Sequence, residues 1–358
     1  MRFDSSTFSF SPLLFVLAAV LVAAACSKPA SDPPQPPIAK KIPEELERHG
    51  RVRVDDYYWL KERENPEVIA YLEAENTYAE AVMKHTEPLQ EKLFEEIVGR
   101  IKKDDASVPY KLDDYFYYQR FESGLEYPIY CRKRGSLDAE EEVALDVNQL
   151  AEGHEFFSMR GLRVSPNQDL VAYSTDSVGR RFYTLRFKNL ATGKTLDDEI
   201  SDITGLSTWA ADNRTVFYVK QHPETLRWYR IYRHVLGTDP AADELIYEET
   251  DETYSTFVFK TKSRQYLMIA STQTLASEFR YLPADDPTGE FKMFQSRQRD
   301  HEYFVDHFEN HFYVRTNLEA KNFRLMKTPV NATGSENWQE VIPHRADVLM
   351  QGFEIFES

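Results

Sequence analysis

The hydrophobic positions follow three different patterns along the chain. Residues 13–25 are continuously apolar, and between Pro43 and Ile101 apolar residues recur at helical spacings. From Tyr110 onward, apolar and polar residues alternate in short segments, as in half-buried β-strands. We therefore predict an apolar leader over 1–25, a helical segment over 42–105 and a mostly β body over 106–358.

Two helices are predicted within the helical segment. The first begins at Asn65-Pro66, with Asn65 as the N-cap and Pro66 in the first turn, and ends near Lys84-His85. Each helix has one apolar face, which is expected to pack against another element. In the second helix this face follows i+4 spacing through Leu89, Leu93, Ile97 and Ile101.

The β region repeats itself. A polar turn followed by a strand recurs as SPNQDLVAYSTD, AADNRTVFYVKQ, TKSRQYLMIAST and DHFENHFYVRTN, and an earlier copy reads KLDDYFYYQRF. The five copies align at Tyr117, Tyr173, Tyr218, Ile269 and Tyr313, with spacings of 56, 45, 51 and 44 residues. Each of the last four copies is followed by a second strand, which begins near Phe182, Trp228, Phe279 and Phe323.

These repeats predict a β-propeller. One unit exposes two apolar sheet faces that it cannot bury alone, and radial stacking of four-stranded blades of this length buries them. A β-sandwich with regular hairpins is the alternative, and the near-equal periods favour the propeller. About five blades fit between Tyr110 and the last expected strand, Gly352–Phe356, which stops at Ser358 in mid-pattern. The propeller is therefore expected to be incomplete.

The leader resembles an export signal. Its apolar run of 13 residues, Leu13 to Ala25, is shorter than the roughly 20 residues of a membrane-spanning helix, so residues 1–25 are predicted to be a signal peptide. Ala23-Ala24-Ala25-Cys26 resembles a bacterial lipobox, which would make Cys26 a lipidation site; the alternative is an ordinary Ala-x-Ala cleavage. Residues 26–41, with five prolines between Pro29 and Pro37, are predicted to be an extended linker.

The charge balance excludes one class of partner. Lys and Arg number 43 against 59 Asp and Glu, a formal charge of −16. Nucleic-acid binding rests on clustered cations, so no nucleic-acid partner is expected. An acidic body can instead attract basic partners. The only cysteines are Cys26 and Cys131, and Cys131, in the strand YPIYCRKR, is predicted to be a small buried hydrophobe.

The nearest candidates for the nucleophile of a serine hydrolase are two serines that follow a glycine. They occur in Gly205-Leu206-Ser207 and Gly334-Ser335. Such nucleophiles lie on a sharp strand-to-helix turn with glycine on both sides. Both candidates lack the second glycine and fall in predicted turns of the blades, so neither is assigned a catalytic role.

His301, His307 and His311 form the densest histidine cluster. On a helix, His307 and His311 would face the same way and could share a metal ion. The surrounding residues instead predict a turn that leads into the strand Phe312–Val314. The sequence thus assigns no catalytic, metal-binding or cofactor-binding residue, and no cofactor is expected.

Several segments are similar to one enzyme family. The segment VDDYYWLKERENPEVIAYLEAENTYAEAVM, Val54 to Met83, resembles the N-terminal signature of the prolyl oligopeptidase family, and most closely its oligopeptidase B branch. The resemblance runs from about Ile42 to the end of the chain. It includes YPIYCRKR, EEVALDVNQLAEGHEFF and RVSPNQDLVAYSTDSVGRRFYTLRFKNLATG.

The resemblance implies a serine oligopeptidase of two domains. In this family a seven-bladed propeller caps an α/β-hydrolase domain, against which the N-terminal helices pack, and the branch cuts short peptides after Arg or Lys. The Ser, Asp and His of the triad lie in the hydrolase domain, which is expected to be absent from this chain. No triad residue is therefore carried over to any position here, and the chain alone is expected to be inactive.

Two hypotheses for the function follow. The first is the propeller portion of an exported serine oligopeptidase, which limits substrate access and has short basic peptides as substrates. The second is a stand-alone propeller lipoprotein that binds peptides or envelope partners without catalysis. An unrelated propeller hydrolase with a metal ion inside the ring is a weaker third. Members of the branch are commonly cytoplasmic, but Met1–Cys26 indicates the bacterial envelope or periplasm, with a membrane anchor at Cys26.

Overall fold

The computed structural model describes residues 33–356, which contain 22 β-strands and three α-helices. The predicted signal peptide and Cys26 lie outside the described residues. The chain divides into two compact units between Lys102 and Lys103. The sequence patterns place this boundary three residues later, between residues 105 and 106.

The first unit opens with a β-hairpin. Strands β1 (Glu44–Arg48) and β2 (Arg51–Asp55) pair in antiparallel register, so the prediction of helix for this stretch was wrong. His49 and Gly50, the two turn residues, have positive φ angles of 53° and 70°. Two consecutive left-handed residues form the tight turn that best matches the twist of a hairpin, and Arg51-Val52-Arg53-Val54 alternates with the period of a strand.

Two helices follow the hairpin, as predicted. Helix α1 spans Pro66–Met83 and helix α2 spans Glu87–Arg100, with a short 3₁₀ turn, Lys84–Thr86, between them. The side chain of Asn65 accepts a hydrogen bond of 2.9 Å from the backbone N–H of Glu67, which confirms it as the N-cap. The apolar side chains of α2 remain exposed in this structure: Leu89, Leu93, Phe94 and Ile97.

The second unit consists of antiparallel sheets in which each strand pairs with the next strand of its sheet along the chain, except that β3 pairs with β5. This is the order of strands in propeller blades. The first blade contains β3 (Asp105–Ala106), β4 (Tyr110–Leu112), β5 (Tyr115–Phe121), β6 (Ile129–Arg134) and β7 (Glu141–Asp146), and helix α3 (Val147–Ala151) follows it. The second contains β8 (Ser158–Val164), β9 (Leu170–Asp176), β10 (Tyr183–Asn189) and the first part of β11 (Thr195–Trp209).

Three further blades follow along the chain. The third contains the last part of β11, β12 (Thr215–Gln221), β13 (Trp228–Val235) and β14 (Glu244–Glu248). The fourth contains β15 (Ser255–Lys260), β16 (Tyr266–Gln273), β17 (Ala276–Pro283) and β18 (Lys292–Gln295). The fifth contains β19 (Tyr303–Phe308), β20 (His311–Thr316), β21 (Arg324–Pro329) and β22 (Gln339–Ile342). Five blades in the described chain confirm the repeat assignment.

The repeated turns share one backbone conformation. In every blade, the turn before the aligned strand holds one non-glycine residue with a positive φ angle, between 51° and 64°. Such residues are uncommon outside tight turns, so their recurrence shows that the five units are built alike. They are Asp113, Gln168, Asn213, Arg264 and Glu309.

The predicted strand Gly352–Phe356 is not a strand. These residues have no regular secondary structure, and the ring of Phe353 lies 6.2 Å from that of Phe304. A strand needs a neighbour to satisfy its backbone groups. Residues 352–356 pair with no strand of the described chain. Alternation of apolar residues alone was therefore not enough to predict a strand there.

The hydrophobic cores lie between consecutive blades. Residues of β12 and β13 pack against residues of β15, β16 and β17, and a second cluster joins the fourth blade to the fifth. Both faces of the fourth blade are therefore buried, as the repeat pattern predicts. The largest fully buried side chains include Tyr173, Tyr218, Phe187, Phe217, Phe279 and Phe312.

Strand β11 belongs to two blades. Residues 195–203 pair with β10, and residues 203–209 pair with β12, with an irregularity in register between Ile203 and Ser207. Gly205 lies at this irregularity with a φ angle of +84°. Opposite it, Gly161 lies at a matching irregularity in β8 with a φ angle of +69°. A Cβ atom on Gly161 would come within 2.0 Å of the carbonyl oxygen of Gly205, so the two backbones can approach this closely only because residue 161 is glycine.

This contact makes a stability prediction. Gly161→Ala should lower the free energy of unfolding by more than about 1 kcal/mol, because it adds a backbone collision to the strain of a positive φ angle. Gly193→Ala is the matched control, since Gly193 also has a positive φ angle, +71°, but has no atom within 4 Å of its missing Cβ. Chemical denaturation would measure both variants. Equal losses for the two variants would contradict a role for the collision.

A buried histidine joins the second and third blades. The ring of His234, on β13, lies 2.8 Å from a carboxylate oxygen of Asp243 through Nδ1 and 3.0 Å from one of Asp198 through Nε2. Carboxylates only accept hydrogen bonds, so both ring nitrogens must donate and the ring is an imidazolium. Burial alone would lower the pKa of His234, but the hydrogen bonds and charges of the two carboxylates outweigh it and raise the pKa above its ordinary value.

The raised pKa predicts a pH-dependent stability. A group whose pKa is higher in the folded chain stabilises it fully below its unfolded pKa, about 6.5 for histidine, and this contribution is lost as the pH rises through the folded pKa. The difference in free energy of unfolding between the native chain and His234→Gln should therefore shrink as the pH is raised from 6. Thermal unfolding across this range tests it, with His85→Gln, an exposed histidine, as the control. A difference that grows with pH would contradict the imidazolium.

Candidate functional site

The serines singled out by sequence lie in ordinary structural positions. Ser207 is within strand β11, not in a turn as predicted, and it is buried. The glycine two residues before it serves the backbone contact with Gly161 and does not form a nucleophile elbow. Ser335 begins a short 3₁₀ turn between β21 and β22, where its backbone N–H donates to the side chain of Gln295.

The three histidines do not share a site. His307 lies within β19 and not in a turn as predicted, and His311 begins β20 on the other side of the hairpin. Burial lowers the pKa of His307 to about 4, and its Nδ1 lies 2.9 Å from the hydroxyl of Ser263. His301 is buried beside Tyr303 and Trp338. Within residues 33–356, no group of three His, Cys, Asp or Glu side chains is arranged to hold a metal ion.

Cys131 is a buried thiol, as predicted. It lies in β6 with 1% of its surface exposed, and burial raises its pKa to about 11. A thiol with so high a pKa is protonated at neutral pH and is a poor nucleophile.

In the part of the chain that the structure describes, no helix has both the length and the hydrophobicity to cross a bilayer.

The structure does bring together polar side chains that the sequence analysis did not connect. Strands β8, β11 and β15, the first strands of the second, third and fourth blades, border a cavity of about 390 Å³. The first strands of propeller blades surround the central channel. We call this space the inner-strand cavity. Its lining includes Arg163, Leu206, Ser207, Phe257, Lys260 and Arg264.

Lys260 is the most perturbed of these groups. Its ammonium lies 3.4 Å from the carbonyl oxygen of Ala210, and no carboxylate of the described residues lies within ion-pair distance of it. Burial, and then the positive charge of Arg264, lower the pKa of Lys260 to about 8, against a smaller opposite effect of Asp212. This amine is thus still mostly protonated at pH 7 but loses its proton at a lower pH than an ordinary lysine, and a bound anion would favour its charged form.

Arg264 links blades that are far apart in sequence. Its guanidinium makes two hydrogen bonds, of 2.5 and 2.7 Å, to the carboxylate of Asp113 in the first blade. The amide of Gln168, from the second blade, donates to the same carboxylate at 3.2 Å. The hydrogen bond from Arg264 holds the pKa of Asp113 below its ordinary value. The repeated turns of three blades therefore meet at one end of the inner-strand cavity.

One of these residues had a recognisable signal in the sequence. When the copies are aligned at Tyr173, Tyr218 and Ile269, Lys260 occupies the same position as Val164 and Trp209. A lysine at a repeat position that is otherwise apolar is a deviation that the repeat alignment could have shown. Arg264 has no such signal, because its partner, Asp113, comes from another blade.

Comparison with known proteins identifies the family. The family model described as prolyl oligopeptidase, N-terminal beta-propeller domain, matches residues 36–358. The chain belongs to this family. The resemblance found in the sequence is thereby confirmed, and the five blades described above are part of the prolyl oligopeptidase propeller.

Individual relatives agree with this assignment. Dipeptidyl aminopeptidase BI of Pseudoxanthomonas mexicana is 39% identical over 96% of this chain and 50% of its own length. Protease 2 of Moraxella lacunata is 36% identical over 89% of this chain and 48% of its own length. The structure of oligopeptidase B from Leishmania major superposes with a TM-score of 0.82 at 31% identity, covering 89% of this chain and 48% of that one. The chain thus spans about half the length of these relatives.

The Asp113–Arg264 pair gives a testable consequence. Asp113→Asn keeps a residue that tolerates a positive φ angle but removes the ion pair. Because both side chains are partly exposed, the loss in unfolding free energy should not exceed about 1 kcal/mol. The first blade should nevertheless be held less firmly, and hydrogen exchange at residues 110–117 should become faster.

Asp114→Asn is the control, since Asp114 lies in the same turn and is exposed. Mass spectrometry of deuterium uptake would compare the two variants. Equal uptake at residues 110–117 in both would show that the ion pair does not hold the first blade.

Proposed function

We propose that this chain is the propeller portion of an exported serine oligopeptidase that cleaves short peptides after Arg or Lys. The observation that supports it is the family match over residues 36–358, together with relatives that are named as peptidases. The family is one of serine peptidases, which are hydrolases. We assign the Ser, Asp and His of the triad to a hydrolase domain and to no residue of this chain.

The propeller's part in this function is to limit access. Blades packed face to face leave a narrow space between their first strands, in which the described cavity measures about 390 Å³. Short or unfolded peptides fit such a space and folded proteins do not. The propeller would therefore select substrates by size and conformation while the chemistry occurs in the hydrolase domain.

The proposed preference for basic substrates is supported by the net charge of the chain and by its similarity to oligopeptidase B. The chain carries a formal charge of −16, and an acidic surface raises the local concentration of cationic peptides. One similar structure is named oligopeptidase B, the branch to which the sequence motifs point.

Export is supported by the apolar run before Cys26, and lipidation of Cys26 would anchor the protein to the membrane.

One relative suggests a second activity. Dipeptidyl aminopeptidase BI matches 96% of this chain, and its name describes removal of dipeptides from a free amino terminus. The two activities differ in their dependence on that terminus. An internal cleavage after Arg or Lys tolerates an acetylated amino terminus, whereas release of dipeptides does not.

The first experiment is to read the coding DNA past codon 358 and to express the complete open frame. A frame that continues into a glycine-flanked serine, with an aspartate and then a histidine behind it, supports the peptidase. A stop directly after codon 358 would contradict it and would favour the stand-alone binding lipoprotein. The expressed protein is then assayed on matched peptides containing Arg, Lys or Gln, each with a free or an acetylated amino terminus.

Salt provides the test of electrostatic attraction. If the acidic surface attracts basic peptides, kcat/KM on an Arg peptide should fall several-fold as ionic strength rises from about 0.01 to about 0.15 M, where the screening length shortens from about 30 to about 8 Å. The matched Gln peptide should show little change. The same salt dependence for both peptides would rule out attraction of the basic side chain as the cause.

A further inference from the structure

The inner-strand cavity has the opposite charge to the chain that surrounds it. The chain as a whole is acidic, with a formal charge of −16. The cavity lining nevertheless contains three cations, Arg163, Lys260 and Arg264, and no carboxylate among the residues that the structure describes. Such a local reversal of charge favours an anionic ligand.

The three cations are compensated to different degrees. Arg264 is paired with Asp113, so its charge is largely neutralised. Arg163 is exposed, and its guanidinium donates to the carbonyl oxygen of Leu162 at 2.9 Å. Lys260 is partly buried and has only a long contact to a carbonyl oxygen. A partly buried ammonium without a carboxylate gains most from a bound anion, because water no longer solvates it fully.

The rest of the lining indicates what kind of anion fits. Leu206 and Phe257 supply apolar surface beside the cations. Ser207 also lines the cavity and is buried, and its hydroxyl has no hydrogen-bond partner in the described part of the chain. A carboxylate attached to an apolar side chain would match this combination of surfaces. The carboxyl-terminal residue of a peptide has that chemistry, whereas inorganic phosphate lacks the apolar part.

We propose that the inner-strand cavity binds the C-terminal carboxylate of a short peptide, with Lys260 as its principal ion-pair partner. The choice of a peptide as ligand rests on the proposed peptidase function, but the carboxylate site is defined by the cavity alone. A carboxylate here would accept charge-assisted hydrogen bonds from the ammonium. Arg163 would supply further positive charge at the same cavity.

This site would also orient a basic substrate. A peptide that contains Arg or Lys and ends in a free carboxylate has opposite charges at different points. The cations of the cavity attract its terminus and repel its basic side chain. Such a peptide would therefore enter with its carboxylate in the cavity and its Arg or Lys side chain directed away from it.

The binding test compares peptides that differ only at the carboxyl terminus. Ala-Ala-Ala-Phe with a free carboxylate and the same peptide as its amide are titrated into the protein by calorimetry. Because hydrogen bonds to charged groups contribute about 1.5–3 kcal/mol, the acid should bind at least about tenfold more tightly than the amide. Lys260→Gln should abolish this difference. Equal binding of acid and amide by the native protein would overturn the proposal.

Lys188→Gln is the matched control variant. Lys188 is also partly buried, burial likewise lowers its pKa, and its ammonium donates to the carbonyl oxygen of Ala144 at 3.0 Å. It does not line the cavity, so its substitution should leave the preference for the acid unchanged. Loss of the preference in both variants would show that any buried lysine has this effect and would overturn the assignment to Lys260.

Chemical labelling gives a second readout that does not depend on a variant that folds. An amine-reactive acetylating reagent is applied at pH 8 and the modified lysines are quantified by mass spectrometry. The peptide acid should slow labelling of Lys260, the amide should not, and Lys188 should react equally with either. Protection of Lys260 by inorganic phosphate alone, as strong as that by the peptide acid, would show a general anion site and would contradict the peptide ligand.

These peptides contain neither Arg nor Lys, and neither readout requires cleavage. Failure of the peptidase assays would leave the carboxylate preference to be measured as before. A normal peptidase with no carboxylate preference would reject the cavity site alone. The two proposals therefore fail separately.

Discussion

The close approach of two glycines is the constraint on which the arrangement of the inner strands depends. At Gly161 and Gly205 the backbones of β8 and β11 are so near that a single Cβ atom would lie 2.0 Å from the opposing carbonyl oxygen. Both strands carry a register irregularity at this point, and both glycines adopt positive φ angles. The indole N–H of Trp209 adds a 3.0 Å hydrogen bond to the carbonyl of Arg163. Two walls of the inner-strand cavity are thus positioned by backbone contact.

The sequence carried enough information for the repeated architecture and too little for the site. Periodic turns and strands predicted the blades because each blade reuses the same local pattern, and Asn65-Pro66 predicted its helix because capping is a local interaction. The hairpin over 44–55 was missed although its turn, His49-Gly50, and its alternation are local signals. Ser207 lies within a strand and not in the predicted turn, and the nearby Gly205 takes part in a contact between strands that comes from outside its local sequence. The cavity escaped prediction because its lining residues, such as Arg163, Ser207 and Lys260, come from three different blades.

Buried charges among residues 33–356 differ in how they are compensated. Glu249 and Glu278 are almost fully buried, and Arg297 forms ion pairs with both. The two carboxylates keep a lowered pKa because this arginine and nearby backbone N–H groups outweigh the effect of burial. Such a closed network satisfies its members and leaves no charge for a ligand. Lys260 differs because the described chain offers it no carboxylate, and an uncompensated charge at a cavity is the arrangement that a ligand completes.

The walls of the cavity are held by interactions of unequal strength. Strand β11 continues from the second blade into the third, so hydrogen bonds within one sheet fix β8 and β11 relative to each other. Strand β15, which carries Lys260, belongs to a separate sheet and is joined to the third blade by side-chain packing. The fourth blade is tied to the first by the partly exposed Asp113–Arg264 pair, an interaction of small net stability in water. The ion pair is therefore the weaker of these two contacts of the fourth blade, and a carboxylate bound at Lys260 would add a charge-assisted hydrogen bond to this wall of the cavity.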